Sequence, residues 1–109
     1  MPNWTDLGPA ADTPPDARAC VRLAGADGKE HPLVVFNVDG TYHAIANHCP
    51  HAGLPLGDGE RRGLTITCPY HGYTYRLTDG ADLDDPEFGE PATVYPARVQ
   101  DGTVQIRLS

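Results

Sequence analysis

Leu33-Val34-Val35-Phe36-Asn37-Val38-Asp39-Gly40-Thr41-Tyr42-His43-Ala44-Ile45-Ala46 is the stretch that decides the fold. It holds a run rich in Val and Phe, then Asp-Gly, then a second half-apolar run. β-Branched and aromatic side chains fit a pleated surface, and Gly takes the positive φ that a tight type I′ turn demands, so the stretch predicts a hairpin. The same pattern extends in both directions. Upstream, Ala17, Ala19, Val21 and Leu23 alternate with Arg18, Cys20 and Arg22, which predicts a strand with one buried face. Downstream, residues 64–67, 73–77, 93–100 and 103–108 predict further strands, the last two joined at Asp101-Gly102. Residues 1–16 read as an irregular arm whose Trp4 plugs the core, and residues 47–63 and 81–92 read as Gly-, Pro- or acid-rich loops. No segment carries a helical period of ten or more residues. The expected fold class is all-β, an antiparallel sandwich or barrel in a single domain over residues 1–109.

The composition narrows the function. Eight Lys and Arg against 15 Asp and Glu give a net charge of -7, which argues against nucleic acid and anionic membrane as partners. No apolar run approaches a membrane span. The start, from Met1 to Pro15, has neither a basic end nor an apolar stretch, so no signal peptide is expected and the expected location is cytoplasmic. The cysteines are three, Cys20, Cys49 and Cys68. That count argues against a disulfide framework and towards metal binding or catalysis.

Two short motifs carry chemistry: Cys49-Pro50-His51 and Cys68-Pro69-Tyr70-His71, with sixteen residues between His51 and Cys68. Each lies in a loop between strands, so both can reach one end of a sheet. Thiolate and imidazole are ligands for zinc, iron or copper. Two readings follow: a structural zinc site, or a [2Fe-2S] cluster with two Cys on one iron and two His on the other. Zinc fingers usually pair like ligands. Here each loop offers one of each, a mixture a two-iron cluster can use because each loop then straddles both irons. The zinc reading predicts a colourless protein-contact module.

The run 47–56, Asn-His-Cys-Pro-His-Ala-Gly-Leu-Pro-Leu, and the run 68–75, Cys-Pro-Tyr-His-Gly-Tyr-Thr-Tyr, resemble the two cluster-binding loops of Rieske proteins. The similarity extends over nearly the whole chain and is greatest to the small Rieske-type ferredoxins that feed electrons to bacterial aromatic-ring dioxygenases. The resemblance implies a Rieske-type β-sandwich with a cluster-binding subdomain made of two loops, about residues 47–57 and 68–74. It implies a [2Fe-2S] cofactor with Cys49 and Cys68 on the inner iron and His51 and His71 on the outer, solvent-facing one. It implies a one-electron carrier, a non-catalytic component of an oxidoreductase system. Its partners would be an NAD(P)H-dependent flavoprotein reductase and a terminal oxygenase. The chain is also similar, over the same loops, to the small Rieske-like subunit of NAD(P)H nitrite reductase, which stands as the alternative. A catalytic oxygenase domain finds no space in 109 residues.

Several tuning residues follow from the same resemblance. High-potential members carry an extra Cys in each loop; Leu54 and Tyr70 stand in those places here, so no loop disulfide can form. They place a Ser after the His-Gly pair, where this chain has Tyr73, and a Tyr two residues later, which this chain keeps as Tyr75. A low-to-intermediate potential, lifted slightly by Tyr75, is expected. Gly53 and Gly72 sit just past the histidines, where the chain turns sharply and its amides can approach a sulfide. The stretch 86–91 loosely resembles a proline-containing loop that covers the cluster. Outside the motifs, Cys20 reads as a thiol far from the site and without a role, and His48 as a surface residue. The acidic group Asp82, Asp84, Asp85, Glu87 and Glu90 reads as either a docking patch or a solvated charge run.

Overall fold

The computed structural model describes residues 4–25, 27–50, 55–70 and 72–108. Ten strands follow in chain order: β1 (Trp4–Pro9), β2 (Arg18–Ala24), β3 (Glu30–Val38), β4 (Thr41–Ala46), β5 (Glu60–Arg62), β6 (Thr65–Thr67), β7 (Thr74–Arg76), β8 (Val94–Tyr95), β9 (Ala97–Gln100) and β10 (Thr103–Arg107). They form three antiparallel sheets in the orders β1-β10-β9, β2-β3-β4-β8 and β5-β6-β7. The all-β expectation holds.

The hairpin that decided the fold is β3-β4, with Leu33 opposite Ala46 and Val38 opposite Thr41. Asp39 (φ 53°) and Gly40 (φ 89°) make the primed turn, and the Asn37 side-chain oxygen receives the Gly40 amide at 2.8 Å. β3 is buried on both faces. Val34 and Phe36 point into one apolar group with Ile45, Ile66 and Tyr75. Leu33 and Val35 point into a second with Ala44, Val104 and Ile106. The strand therefore joins two halves of the molecule. The second group binds the first two sheets to each other, and the first ties the β2-β3-β4-β8 sheet to the β5-β6-β7 sheet. β2 keeps its half-buried alternation, Ala19, Val21 and Leu23 inward and Arg18, Cys20 and Arg22 outward.

The structure corrects four local expectations. The N-terminal arm is not irregular: Trp4 pairs with Arg107 and Pro9 with Thr103, with a register shift between Asp6 and Gly8. Gly8 and Pro9 interrupt any apolar alternation, but a register shift accommodates the first and the strand end tolerates the second. Trp4 does not plug the core. It is half-buried, with the Arg98 guanidinium 4.0 Å and the Arg107 guanidinium 5.8 Å from its ring centre, within cation–π range. The expected strand over 93–100 is two strands in two sheets, because Pro96 has no N–H to continue a ladder; β8 pairs with β4 and β9 with β10. Finally, β5 lies inside the expected 47–63 loop. Its Glu-Arg-Arg sequence shows no apolar alternation, and it is held by pairing to β6.

Candidate metal centre

The first loop leaves β4 and returns to β5. Its base is closed by Asn47, whose N–H donates to Pro32 O at 2.9 Å and whose side-chain oxygen receives the Gly57 amide at 2.6 Å. Arg18 reaches across from β2 and donates to the carbonyls of Gly57 (2.8 Å) and Gly59 (2.7 Å), with its guanidinium 4.9 Å from the Phe36 ring centre. The second loop is a tight turn between β6 and β7. Cys68 N–H donates to Tyr73 O at 2.7 Å, and Gly72 N–H donates back to Cys68 O at 3.0 Å. Gly72 sits at φ 76°, a conformation that excludes most side chains.

These two loops carry Cys49 and Cys68 into the same buried group, at 0% and 1% exposure. Tyr75, from β7, is fully buried beside them, its hydroxyl 3.6 Å from Cys49 Sγ. Burial first, and then the Cys49 contact and charge, push the Tyr75 ionisation upwards. The phenol therefore keeps its proton and can donate it once Cys49 is held as a thiolate ligand. His51, Gly53 and His71, the remaining expected site residues, lie outside the described residues. Two buried soft donors with a hydroxyl aimed at one of them, in an otherwise apolar group, fit an iron–sulfide centre by the chemistry of the donor set.

Three neighbours carried no sequence signal of their contacts. Asn47 and Arg18 look like a loop residue and a solvent-facing strand residue until the fold brings Gly57 between them. Asp82 looks like one member of an acidic run, yet it is 2% exposed and its backbone pairs with that of Tyr75 in an isolated antiparallel β-bridge. Its Oδ1 receives the amides of Asp84 (3.0 Å) and Asp85 (3.2 Å). Asp84 Oδ2 in turn receives the Thr74 amide at 2.6 Å. The rest of the run, Asp84, Asp85, Glu87 and Glu90, is exposed, as is Phe88 at 85%.

Cys20 needs correcting too. It is not far from the motifs: its sulfur packs against Gly57, and it lines an open groove of about 630 Å³ with Asn47, His48 and Pro55. It is exposed whereas Cys49 and Cys68 are buried. A maleimide added to the native protein is expected to modify Cys20 alone, with Cys49 and Cys68 reacting only after unfolding. Peptide mass mapping reads the result, and early labelling of Cys68 would contradict the burial.

The family pattern described as Rieske [2Fe-2S] domain matches residues 3–100. The 3-phenylpropionate/cinnamic acid dioxygenase ferredoxin subunit of Escherichia coli (strain K12) is 32% identical over 77 residues, 70% of this chain and 72% of the relative. The anthranilate 1,2-dioxygenase ferredoxin subunit of Burkholderia cepacia is 29% identical, over 99% of this chain and 94% of the relative. Among solved structures, the complex of reduced oxygenase and oxidized ferredoxin in carbazole 1,9a-dioxygenase superposes with a TM-score of 0.81 at 28% identity, covering 95% of this chain and 92% of the matched one. Against longer chains in other structures of that system, the match spans 29% of their length. No helix among the described residues is long and apolar enough to cross a membrane.

Proposed function

We propose that this chain, which belongs to the Rieske [2Fe-2S] domain family and so carries a Rieske-type [2Fe-2S] cluster, is a one-electron carrier between an NAD(P)H-dependent flavoprotein reductase and a terminal oxygenase. The observation that supports this reading best is the convergence of Cys49 and Cys68 from two loops into one buried group under the Tyr75 hydroxyl. Cys49 and Cys68 are the sulfur ligands and His51 and His71 the nitrogen ligands. The chain is one domain and works in the cytoplasm. Relatives named as dioxygenase ferredoxin subunits, and a solved ferredoxin–oxygenase complex, support a terminal oxygenase as the partner.

When bound, the cluster supplies reversible uptake of one electron. The charge bookkeeping suits a carrier. Two ferric irons, two sulfides and two thiolates sum to zero, whereas four thiolates leave a dianion, so imidazole ligands make reduction easier. The protein's own groups do the rest. The apolar group around Cys49 and Cys68 excludes water from the sulfurs, and the tight 68–73 turn fixes the second loop without a disulfide. Asn47 and Arg18 fix the first. The reductase arm is tested by mixing the purified protein with NADH and a flavoprotein ferredoxin reductase. Bleaching of the visible absorption by one electron per chain is expected, and no bleaching with a reductase that reduces other Rieske ferredoxins would reject it.

Tyr75→Phe tests the hydroxyl's part. A hydrogen bond to a charged sulfur favours the reduced, more negative state by roughly 1 kcal/mol, equivalent to about 40 mV for one electron. The variant's midpoint potential should therefore fall by about that amount with its spectrum otherwise kept. An unchanged potential would remove Tyr75 from the account.

A further inference from the structure

Asp82 is an ionisable group buried in the protein that the carrier function does not call on. A carboxylate leaves water only at a cost, unless hydrogen bonds compensate it. Here backbone amides contribute to that compensation. Asp82 Oδ1 receives two amides, of Asp84 and Asp85, and such bonds favour the ionised form. Gly89 lies directly against Oδ2, where a Cβ would collide with it. The segment is tied to the strand that follows the second loop. The Asp82 backbone bridges to that of Tyr75, Leu83 N–H donates to Thr74 O at 2.8 Å, and Asp84 receives the Thr74 amide. The residue is thus held opposite Tyr75, whose hydroxyl touches Cys49 Sγ. Cys49, Cys68, Tyr75 and Asp82 are all buried, so the carboxylate and the two sulfurs share one weakly screened region.

We propose that the buried Asp82 carboxylate, fixed opposite Tyr75, lowers the reduction potential of the centre by opposing the negative charge that arrives with each electron. This rests on the reading of Cys49 and Cys68 as its sulfur ligands. Asp82 and Tyr75 then act as an opposed pair, one disfavouring and one favouring the reduced state. The exposed carboxylates of Glu87 and Glu90 differ in kind, because salt screens them and a buried charge is screened far less.

The test is redox titration of the cluster-loaded Asp82→Asn protein, whose amide oxygen can still receive both backbone amides. Asp82→Ser is a second neutral replacement, and Glu87→Gln and Glu90→Gln are exposed controls. With visible and EPR spectra like those of the unsubstituted protein, both Asp82 variants should shift the reduction equilibrium at least threefold towards the reduced form, about 28 mV upwards at about 59 mV per decade. The shift should persist at high salt, while the controls move less and lose their shift there. An unmoved potential, a shift matched by the controls, or loss of iron from both Asp82 variants would overturn the proposal. The ligand reading fails separately, if the unsubstituted protein itself purifies without iron.

Discussion

Cys68→Ser is expected to abolish bound iron and visible colour while leaving the strand signal of the protein in place. Cys68 is held by its own backbone. Its amide is bonded to Tyr73 and its carbonyl to Gly72, so a serine there keeps the turn and changes only the donor atom. A serine hydroxyl is a hard, weakly acidic ligand and a poor substitute for thiolate on iron sulfide. Removing one of the two thiolates leaves the inner iron half-held. The larger part of the fold does not depend on it. The apolar group of Leu33, Val35, Ala44, Val104 and Ile106 contains neither Cys49 nor Cys68. Iron and sulfide assays together with far-ultraviolet circular dichroism check both halves. A variant retaining full iron would show that Cys68 is not a ligand.

Phe36→Ala is expected to produce the largest loss of stability. Phe36 is fully buried at the centre of the strand that joins both apolar groups, and its ring lies under the Arg18 guanidinium. Truncating a buried Phe costs about 3–5 kcal/mol in lost burial and residual cavity. For a domain of this size, at about 4–8 °C per kcal/mol, the thermal midpoint should fall by roughly 12 °C or more. Arg18 also loses the surface on which it lies when it holds Gly57 and Gly59, so cluster release should accelerate in the same variant. Differential scanning calorimetry and the decay of visible absorption measure the two effects. A loss below about 0.5 kcal/mol, the level of an ordinary surface change, would contradict the packing.

The hairpin 33–46 was legible because its local signals agree: β-branched residues, alternation on the return strand, and an Asp-Gly turn. The two cysteines were legible from spacing, since a Cys and a His in each of two loops have few uses. What stayed hidden depends on contacts distant in sequence. β5 has no apolar face of its own and exists by pairing with β6. β1 carries two apparent breakers and is held by β10, almost the full chain length away. Pro96 splits one apolar run between two sheets, which a run read along the chain cannot show. The clasp of Arg18 and Asn47 on Gly57, and the burial of one aspartate among five acidic residues, follow from close approach in space. Cys20 was misplaced for the same reason. Its strand faces the first loop, although 26 residues lie between Cys20 and Asn47 in the chain.

The most direct test of the central claim is the EPR spectrum of the anaerobically purified protein after reduction by dithionite. A one-electron Rieske centre held by Cys49, Cys68, His51 and His71 predicts a rhombic signal whose average g lies clearly below that of an all-cysteine [2Fe-2S] ferredoxin. A silent spectrum from a colourless sample that contains zinc would contradict the account and leave a structural metal module in its place.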